Sequence, residues 1–488
     1  MQDAAYGTLL RDARRALHAR IADTLESNFA DIAENQPEVL ARHCTEAGLI
    51  DKAAGLWGKA GQRSLARSAL VETVEQLTRG LAQIATLPTT PALRREEIKL
   101  QVALITPLLH VKGYVAPETK AAAERARLLI EKAEALGEPP EDPLLLFSVL
   151  YWFFVGSFVA FSGDACRDLA AQFLRLAEKQ RAAVPLMIGH RLVGASLLFT
   201  GNLVASREHF DQAIASYNPA EHRLLATRFG QDPAVAILCN RSWALWMLGY
   251  PEAALADVAH ALKVAREIGE AATLMYALFF IALSHIFCGD YGAANVCSDE
   301  QVTLAEQTDT MGWKPLGRMN QGCVFSLTGK ASNAVQILTS GISAFRSTGG
   351  TLFVPFPLLN TARAHAELGK FDDAWRCIDE VTTAVETTKQ KLWEAEVNRV
   401  AGEITLMSPE RDVAKAEEYF GRALAVARQQ QAKSWELRAA MSLARLWRDQ
   451  GKSHQARELI APVYNWFTEG FDTLDLKEAK ALLDALSS

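Results

Sequence analysis

The sequence has little that would build a β-sheet, grip a nucleic acid or hold a metal. Runs of β-branched residues alternating with polar ones are hard to find, while alanine and leucine dominate; this argues against a sheet-built fold and for an all-α chain. Charge of one sign is scarce as well. Across 488 residues, 51 Lys and Arg stand against 57 Asp and Glu, a formal net charge of -6 with no basic block, so charge gives no support to direct nucleic-acid binding. The seven cysteines (Cys44, Cys166, Cys239, Cys288, Cys297, Cys323 and Cys377) include no CxxC pair, and small buried thiols in a reduced, cytoplasmic protein account for them. The N-terminus is polar and runs straight into an amphipathic pattern, so no secretory signal is expected.

Motifs that carry chemistry are missing too. An ATPase needs GxxxxGK[ST] to cradle phosphates, and the nearest string, Gly322 to Ala331, has the wrong spacing and no hydroxyl after Lys330. The metal-binding aspartates of a β-rich cyclase domain, an HExxH pair and a GxSxG elbow are all lacking. His43 with Cys44 and His285 with Cys288 lack the further ligands of a metal site, so packing accounts for them. Asp372 and Asp373, like Glu417 and Glu418, sit near helix starts, where they meet the helix dipole. The chain is therefore expected to be non-enzymatic, without cofactor or metal. One uncharged stretch, Leu144 to Phe161, reaches the lower edge of a membrane span. It also ends beside Gly163, 38 residues before Gly201, in the slot of a repeat's first helix, so a buried helix is expected and no membrane.

What is present is a repeat. Seven glycines are preceded by a small residue seven positions earlier and followed by another five positions later: Gly48, Gly201, Gly249, Gly289, Gly329, Gly369 and Gly451. The stretch from Asp232 to Gly269 shows the pattern well, with Ser242, Gly249 and Ala254. With Gly163 included, the turns after the linker fall 38, 48, 40, 40, 40 and 82 residues apart. The 82 is two units, one glycine being replaced by the loop MSPERD near Ser408; the 48 contains an extension ending at Asp232, a helix N-cap followed by Pro233. Gly163 is irregular, because Asp168 stands where a small residue is expected. A period near 40 with two helices per period predicts stacked antiparallel hairpins, since one hairpin cannot bury its apolar face alone. The glycine ends the first helix in a left-handed conformation, and the small residues mark the closest approach of the two helices.

The spacing divides the chain into an N-terminal helical junction (1–35), a divergent repeat block (36–136), the linker GEPPEDP (137–143), a main array (144–470) and a C-terminal capping helix (471–488). In the junction, Leu9, Leu10, Ala13, Leu17, Ile21 and Leu25 form the apolar face, and Arg11, Arg14, Arg15, His18 and Arg20 fall mainly on the solvated one. Pro37 opens a helix, Asp51 begins the next with Trp57 and Ala60 buried, and Ser64 to Ile84 reads as another helix. Ala92 to Val111 and Glu118 to Leu136 are two long helices separated by KGYVAP.

These offsets resemble the tetratricopeptide repeat, whose motif sets small residues on either side of a turn glycine; Asn240, Asn320 and Asn360 also match it, as do the aromatics Tyr291 and Phe371. The period of about 40, longer than that family's usual one, resembles the extended repeats that follow the ATPase module of bacterial AAA/STAND-type regulators. QDAAYGTLLRDARRALHARIADTLE is similar to the junction after such a module, and WFTEGFDTLDLKEAKALLDAL to the end of such tails. The resemblance implies a right-handed solenoid whose first helices line a concave groove. Trp243, Trp246, Tyr276, Phe279, Leu283, Met319, Cys323, Phe356, Leu359 and Arg363 occupy those positions, so the groove would be apolar and suited to an amphipathic helix or part of a parent regulator. The alternative is that longer helices close the groove and make these aromatics core. The implied role is a protein-interaction and sensor module of a signalling ATPase, with a protein partner or an upstream ATPase or effector domain; the tail of an adenylate cyclase/ATPase enzyme, or the sensor region of a winged-helix regulator, are the other contexts. Oligomeric state is not legible in the sequence. Ala254→Trp is expected to destabilise the fold by about 1–3 kcal/mol through overpacking, read by chemical denaturation.

Overall fold

A computed structural model describes residues 11–67, 69–113, 116–138, 142–308, 310 and 312–487; among them there are helices and turns and no strand. The chain forms two compact units, Met1–Phe153 and Phe154–Ser488.

The first unit begins with α1 (Arg11–Asn28), the short α2 (Ala30–Asn35), and the hairpin of α3 (Pro37–Ala47) and α4 (Ile50–Ala66). Pro37 stands in the first turn of α3, and Gly48 ends it with φ +78. Ala22, Leu40, Cys44, Ala53, Trp57 and Ala60 form the core, and Trp57 donates its indole N–H to Thr45 Oγ1 at 3.0 Å. The expected face of α1 is rotated. His18 and Ala22 are buried, while Ala13 and Leu17 are exposed, because the ring of His18 is drawn inward to meet Nδ1 of His43 at 2.7 Å. Leu9 and Leu10 lie outside the described residues. Ser64 belongs to the last turn of α4, its carbonyl accepting from Ala69 N–H, and α5 runs Leu70–Ile84; an apolar pattern continuous through both helices hides the break. The long helices α6 (Pro91–Lys112) and α7 (Pro117–Ala135) follow. Tyr114 and Val115 between them, and Pro139, Pro140 and Glu141 of the expected linker, lie outside the described residues.

The division between the units falls within α8 (Leu144–Val159), and α9 (Gly163–Gln180) follows it in the chain. In the second unit hairpins succeed one another. They are α10 (Ala183–Phe199) with α11 (Leu203–Ala215) and, after the short α12 (Pro219–His222) and α13 (Ala226–Phe229), α14 (Pro233–Met247) with α15 (Pro251–Ile268). Next come α16 (Ala271–Cys288) with α17 (Tyr291–Gln307), α18 (Trp313–Leu327) with α19 (Ala331–Ser347), and α20 (Pro355–Glu367) with α21 (Phe371–Thr388). The last are α22 (Glu394–Met407) with α23 (Val413–Gln429) and α24 (Lys433–Asp449) with α25 (Ser453–Tyr464), then the single helix α26 (Leu474–Ala485). The fold is thus the expected all-α array of stacked hairpins. The 48-residue interval is filled by α12 and α13, and Asp232 caps α14 by accepting from Val235 N–H at 3.0 Å. Among the described residues one helix, α16, is long and apolar enough to cross a membrane, with mean hydropathy 1.9, and 72% of it is buried within the protein.

The small residues after each turn, Ala254, Ala294, Ala334, Ala374 and Ala456, have no exposed surface. Those before the turn face large side chains of the second helix: a Cβ on Gly194 would come within 2.9 Å of the Phe210 ring, and one on Gly322 within 2.6 Å of Leu338. Gly163 corrects the register. It is the first residue of α9 and not a turn glycine, so its repeat turns at Phe161, 40 residues before Gly201, and Cys166 takes the buried small position five residues on. Gly163 is needed for a different reason, because a Cβ there would lie 2.9 Å from the Thr388 carbonyl oxygen.

Two turn glycines share a conformation but differ in surroundings. Gly289 has φ +81, and a Cβ on it would meet Leu474 Cβ at 2.3 Å; Gly329 has φ +74 and nothing within 4 Å. Gly329→Ala is therefore expected to cost about 1–2 kcal/mol from backbone strain alone. Gly289→Ala should cost about 1–3 kcal/mol more through overpacking. Urea unfolding of the two variants measures the difference, and equal losses would refute the contact.

Candidate functional site

The inner ends of the first helices do not line an open groove. Three carbonyls near the C-termini of α8, α14 and α16, past the last i+4 donors of their helices, are reached from distant parts of the chain, that of Trp246 in addition to a turn bond from Gly249 N–H at 3.0 Å. The Val159 carbonyl accepts from the N–H groups of Thr351 and Leu352 at 2.9 and 3.0 Å. That of Trp246 accepts from Ser434 Oγ at 2.5 Å, and that of Phe287 from Arg438 Nη2 at 2.9 Å. Further along, Glu469 accepts from Ala253 N–H at 3.0 Å, and Glu252 accepts from Gly470 N–H at 2.7 Å. The second unit therefore closes upon itself, its last hairpin and α26 meeting α14 to α16.

Closure buries the expected groove. Trp243 is fully buried, with Phe280 at 4.7 Å, Phe287 at 5.6 Å and Trp393 at 6.3 Å between ring centroids. Trp246 stacks on Phe287 at 4.8 Å and meets Trp435 edge-on at 4.9 Å. Phe279, Leu283, Met319, Cys323, Phe356 and Leu359 are all buried. Tyr276 is half-buried and stacks on Phe280. The reading of these residues as an apolar groove is thus corrected to the alternative. They are core, because first helices from repeats far apart in sequence face one another across a distance that only aromatic side chains fill. The asparagines stitch neighbouring repeats: Asn240 Nδ2 donates to Tyr276 Oη at 2.6 Å, and Asn320 Nδ2 to the Phe279 carbonyl at 3.2 Å.

What stays open lies where the aromatics give out. Phe356 and Arg363, alone among the expected groove residues, border a cleft of about 230 Å³. The remaining wall is Tyr291 of α17, Arg399 and Glu403 of α22, Arg438, Met441 and Arg445 of α24, and Leu474, Asp475 and Glu478 of α26, with Ile286 and Leu327 completing the apolar part. Sequence reasoning missed most of these, yet a signal existed. Phe356 and Arg363 stand thirteen and six residues before Gly369; residues thirteen, ten and six before Gly451 are Arg438, Met441 and Arg445. Extending the inner-face positions to the last hairpin finds three wall residues. The contribution of α26 comes from closure and has no such signal.

The wall is an ionic network. Glu396, 1% exposed in its side chain, accepts from Arg363 at 2.6 Å and from two nitrogens of Arg399, both at 2.8 Å. Arg399 also pairs with Glu403 and donates to Ser442 Oγ at 3.2 Å. Arg438 donates from Nε to Asp475 at 2.8 Å and lies over the rings of Trp246 and Trp435 at 5.0 and 5.2 Å. Arg445 holds Glu478 at 2.6 Å. Burial opposes ionisation of Glu396, but Arg399 and Arg363 overcome it and hold this carboxyl well below the ordinary glutamate range. Asp475 goes the other way: burial raises it, and the single fork of Arg438 offsets this only in part.

The histidine–cysteine pairs noted in the sequence are separated by their surroundings. His43 meets His18, while His285 Nδ1 stands 3.8 Å from Asp290 and burial pushes the Cys288 thiol up to about 12. A pair that sequence reasoning did not single out, His190 and His209, places its two Nδ1 atoms 2.9 Å apart. Among the described residues no three His, Cys, Asp or Glu side chains are grouped to hold a metal ion.

Because the folded value of Glu396 lies below its unfolded one, its contribution to stability is present at neutral pH and is lost as pH falls below about 4.5. Glu396→Gln is expected to destabilise the protein by about 3 kcal/mol near pH 7, since two guanidinium groups lose their charged partner. The gap from the unsubstituted protein should narrow as pH drops below that point. Asp475 is present in both proteins, so urea titrations of the two over a pH series isolate the Glu396 effect.

No family model matches the chain. Among curated proteins, uncharacterized protein R02095 of Rhizobium meliloti (strain 1021) is 24% identical over 432 residues, which are 85% of this chain and 40% of that protein. The chain thus spans less than half the length of this relative. Among solved structures, the Rap protein complexed with competence and sporulation factor superposes with a TM-score of 0.54 at 11% identity, over 80% of this chain and 99% of that one. Cut9 in the APC/C hetero-tetramer Cut9-Hcn1 gives a TM-score of 0.49 at 13% identity, over 99% of this chain and 98% of that one. The structural neighbours are tetratricopeptide-like helical-repeat proteins, and the likeness to the Rap protein shows that fold.

Proposed function

We propose that the chain is a non-catalytic interaction and sensor module of a bacterial signalling ATPase, acting in the cytoplasm on a protein partner or on an ATPase or effector domain joined to it. The observation that carries this reading is the closed array itself. Stacked hairpins brought into register by distant hydrogen bonds form a body whose closure an occupant of the cleft can tighten or loosen, since α17, α20, α22, α24 and α26 all contribute to its wall. A relative more than twice as long supports a setting beside other domains. The Rap protein of like fold was crystallised with a factor bound, which supports recognition as the use of such an array. A second reading, the tail of an adenylate cyclase/ATPase enzyme active only with its other domains, shares that observation.

The purified chain is expected to hydrolyse no ATP in a phosphate-release assay and to leave no cyclic nucleotide. Sustained turnover abolished by no contaminant-removing step would overturn the non-catalytic reading. The DNA preceding the codon for Met1 separates the contexts. An open frame encoding a P-loop ATPase supports the signalling-ATPase setting, one that continues into a cyclase domain supports the second reading, and a winged-helix segment points to transcription control.

A further inference from the structure

The cleft of the second unit has a composition that the interaction reading does not use. Its guanidinium groups are not exhausted by the protein. Arg363 places Nη2 on Glu396 and leans towards Glu403 at 3.5 Å, and Arg445 uses Nη2 on Glu478, leaving N–H groups of both without a described partner. The Tyr291 hydroxyl has no hydrogen-bond partner among the described residues either. On the accepting side, the side chains of Glu403 and Glu478 are 33% and 43% exposed, in contrast to the enclosed Glu396. The apolar part of the same wall includes Phe356 and Met441.

Charge narrows the ligand class. Four arginines around the cleft are balanced by Glu396, Glu403, Asp475 and Glu478, so no net positive charge is left for a phosphate or another dianion. A group needing both signs fits better: arginine forks take a carboxylate in paired N–H bonds, and a carboxylate at the rim takes an ammonium. The cleft, about 230 Å³, has room for a small ligand of this kind.

We infer that this cleft binds a free α-amino acid with an aliphatic or thioether side chain. Its carboxylate is taken by Arg363 and Arg445, its ammonium by Glu403 and Glu478, and its side chain lies on Phe356 and Met441. Because α26 supplies Glu478, the bound amino acid ties the last helix of the array to α20 and α22. The inference goes beyond the partner reading and does not depend on which effector the chain serves.

The test is isothermal titration calorimetry of the full chain with L-valine, L-leucine, L-isoleucine and L-methionine, alongside thermal unfolding. At least one is expected to bind with a Kd below about 1 mM and to raise Tm. For leucine, 4-methylpentanoate lacks the ammonium, isopentylamine lacks the carboxylate, and N-acetyl-leucine stands for a peptide C-terminus. Each is expected to bind at least about tenfold more weakly than the amino acid it mimics. Arg445→Gln, at the exposed rim, should lose about tenfold in affinity with unchanged helicity, and Arg363→Lys should do likewise if it folds. Absence of binding by all four amino acids to folded protein overturns the inference. So does equal binding by 4-methylpentanoate or N-acetyl-leucine, which would make the cleft a plain carboxylate or peptide-terminus site. Inorganic phosphate binding more tightly than any amino acid would overturn it as well. None of these results bears on ATP turnover or on the neighbouring domains, so the partner reading stands or falls separately.

Discussion

The orphan carbonyls at the ends of first helices are the constraint on which the second unit depends. A helix that ends inside a protein leaves its last carbonyls without intrahelical donors, and burying one unpaired costs about 1–3 kcal/mol. In an open solenoid water meets that need. Here Val159 and Phe287 are met by Thr351 and Leu352 and by Arg438, and Trp246, already bonded by Gly249 N–H, gains a second donor in Ser434; these distant donors stand 151 to 193 positions away in the chain. Those bonds require backbones to approach closely at the turns. Gly163, Gly201, Gly249 and Gly289 have neighbours from segments 388–391, 430–433 and 466–474, where a side chain would collide. Gly329, Gly369 and Gly451 have the same left-handed conformation and empty space around them. One residue type thus answers two demands, a left-handed turn in most repeats and a close contact only in the earlier ones.

Once the ends are tied, the interior has to be filled. Hairpins of uniform length leave a space between facing first helices, and large planar side chains close it with much buried area for few frozen torsions. Trp243, Phe287 and Trp393 form its centre, with the Trp393 ring stacked on Phe356 at 5.0 Å. The filling is specific to this closure, because Trp393 and Trp435 sit at the starts of the two hairpins that return to α14 and α16. In a shorter array those aromatics would be missing and Trp243 would face solvent.

This explains what could and could not be read from the sequence. Turn glycines, buried alanines, the Asp232 cap and the composite 82-residue interval were legible, because each depends on residues within one hairpin. The local register failed only at Gly163, where a glycine required by the distant Thr388 carbonyl mimicked a turn glycine two residues from the real turn. The face of α1 failed for a similar reason: a partner 25 residues away, His43, decides which way His18 points. The fate of Trp243 and Phe279 was open in the sequence, since an aromatic stripe at helical spacing serves a groove and a core equally. The return of distant segments decides between them, with Phe353 on both rings and Trp393 on Trp243, and no local pattern encodes that return.

The ionic cluster follows from the same geometry. Where α26 crosses α24, aromatics can no longer fill the gap, and the carbonyl of Phe287 needs a donor long enough to span it. Arginine supplies that reach, and its stem and plane lie well against Trp246 and Trp435. A buried guanidinium then demands a carboxylate, met by Asp475 on α26, and the Arg399–Glu396 pair next to it repeats the demand. Hydrophobic residues of similar volume could hold such a seam together as tightly, but they would tolerate a slip of α26 along α24 that charged pairs penalise. The cost of that choice is a wall of charges no single helix can fully satisfy. The cleft beside Arg363 and Arg445 exists because the register of the closure is set by ion pairs, not by packing alone.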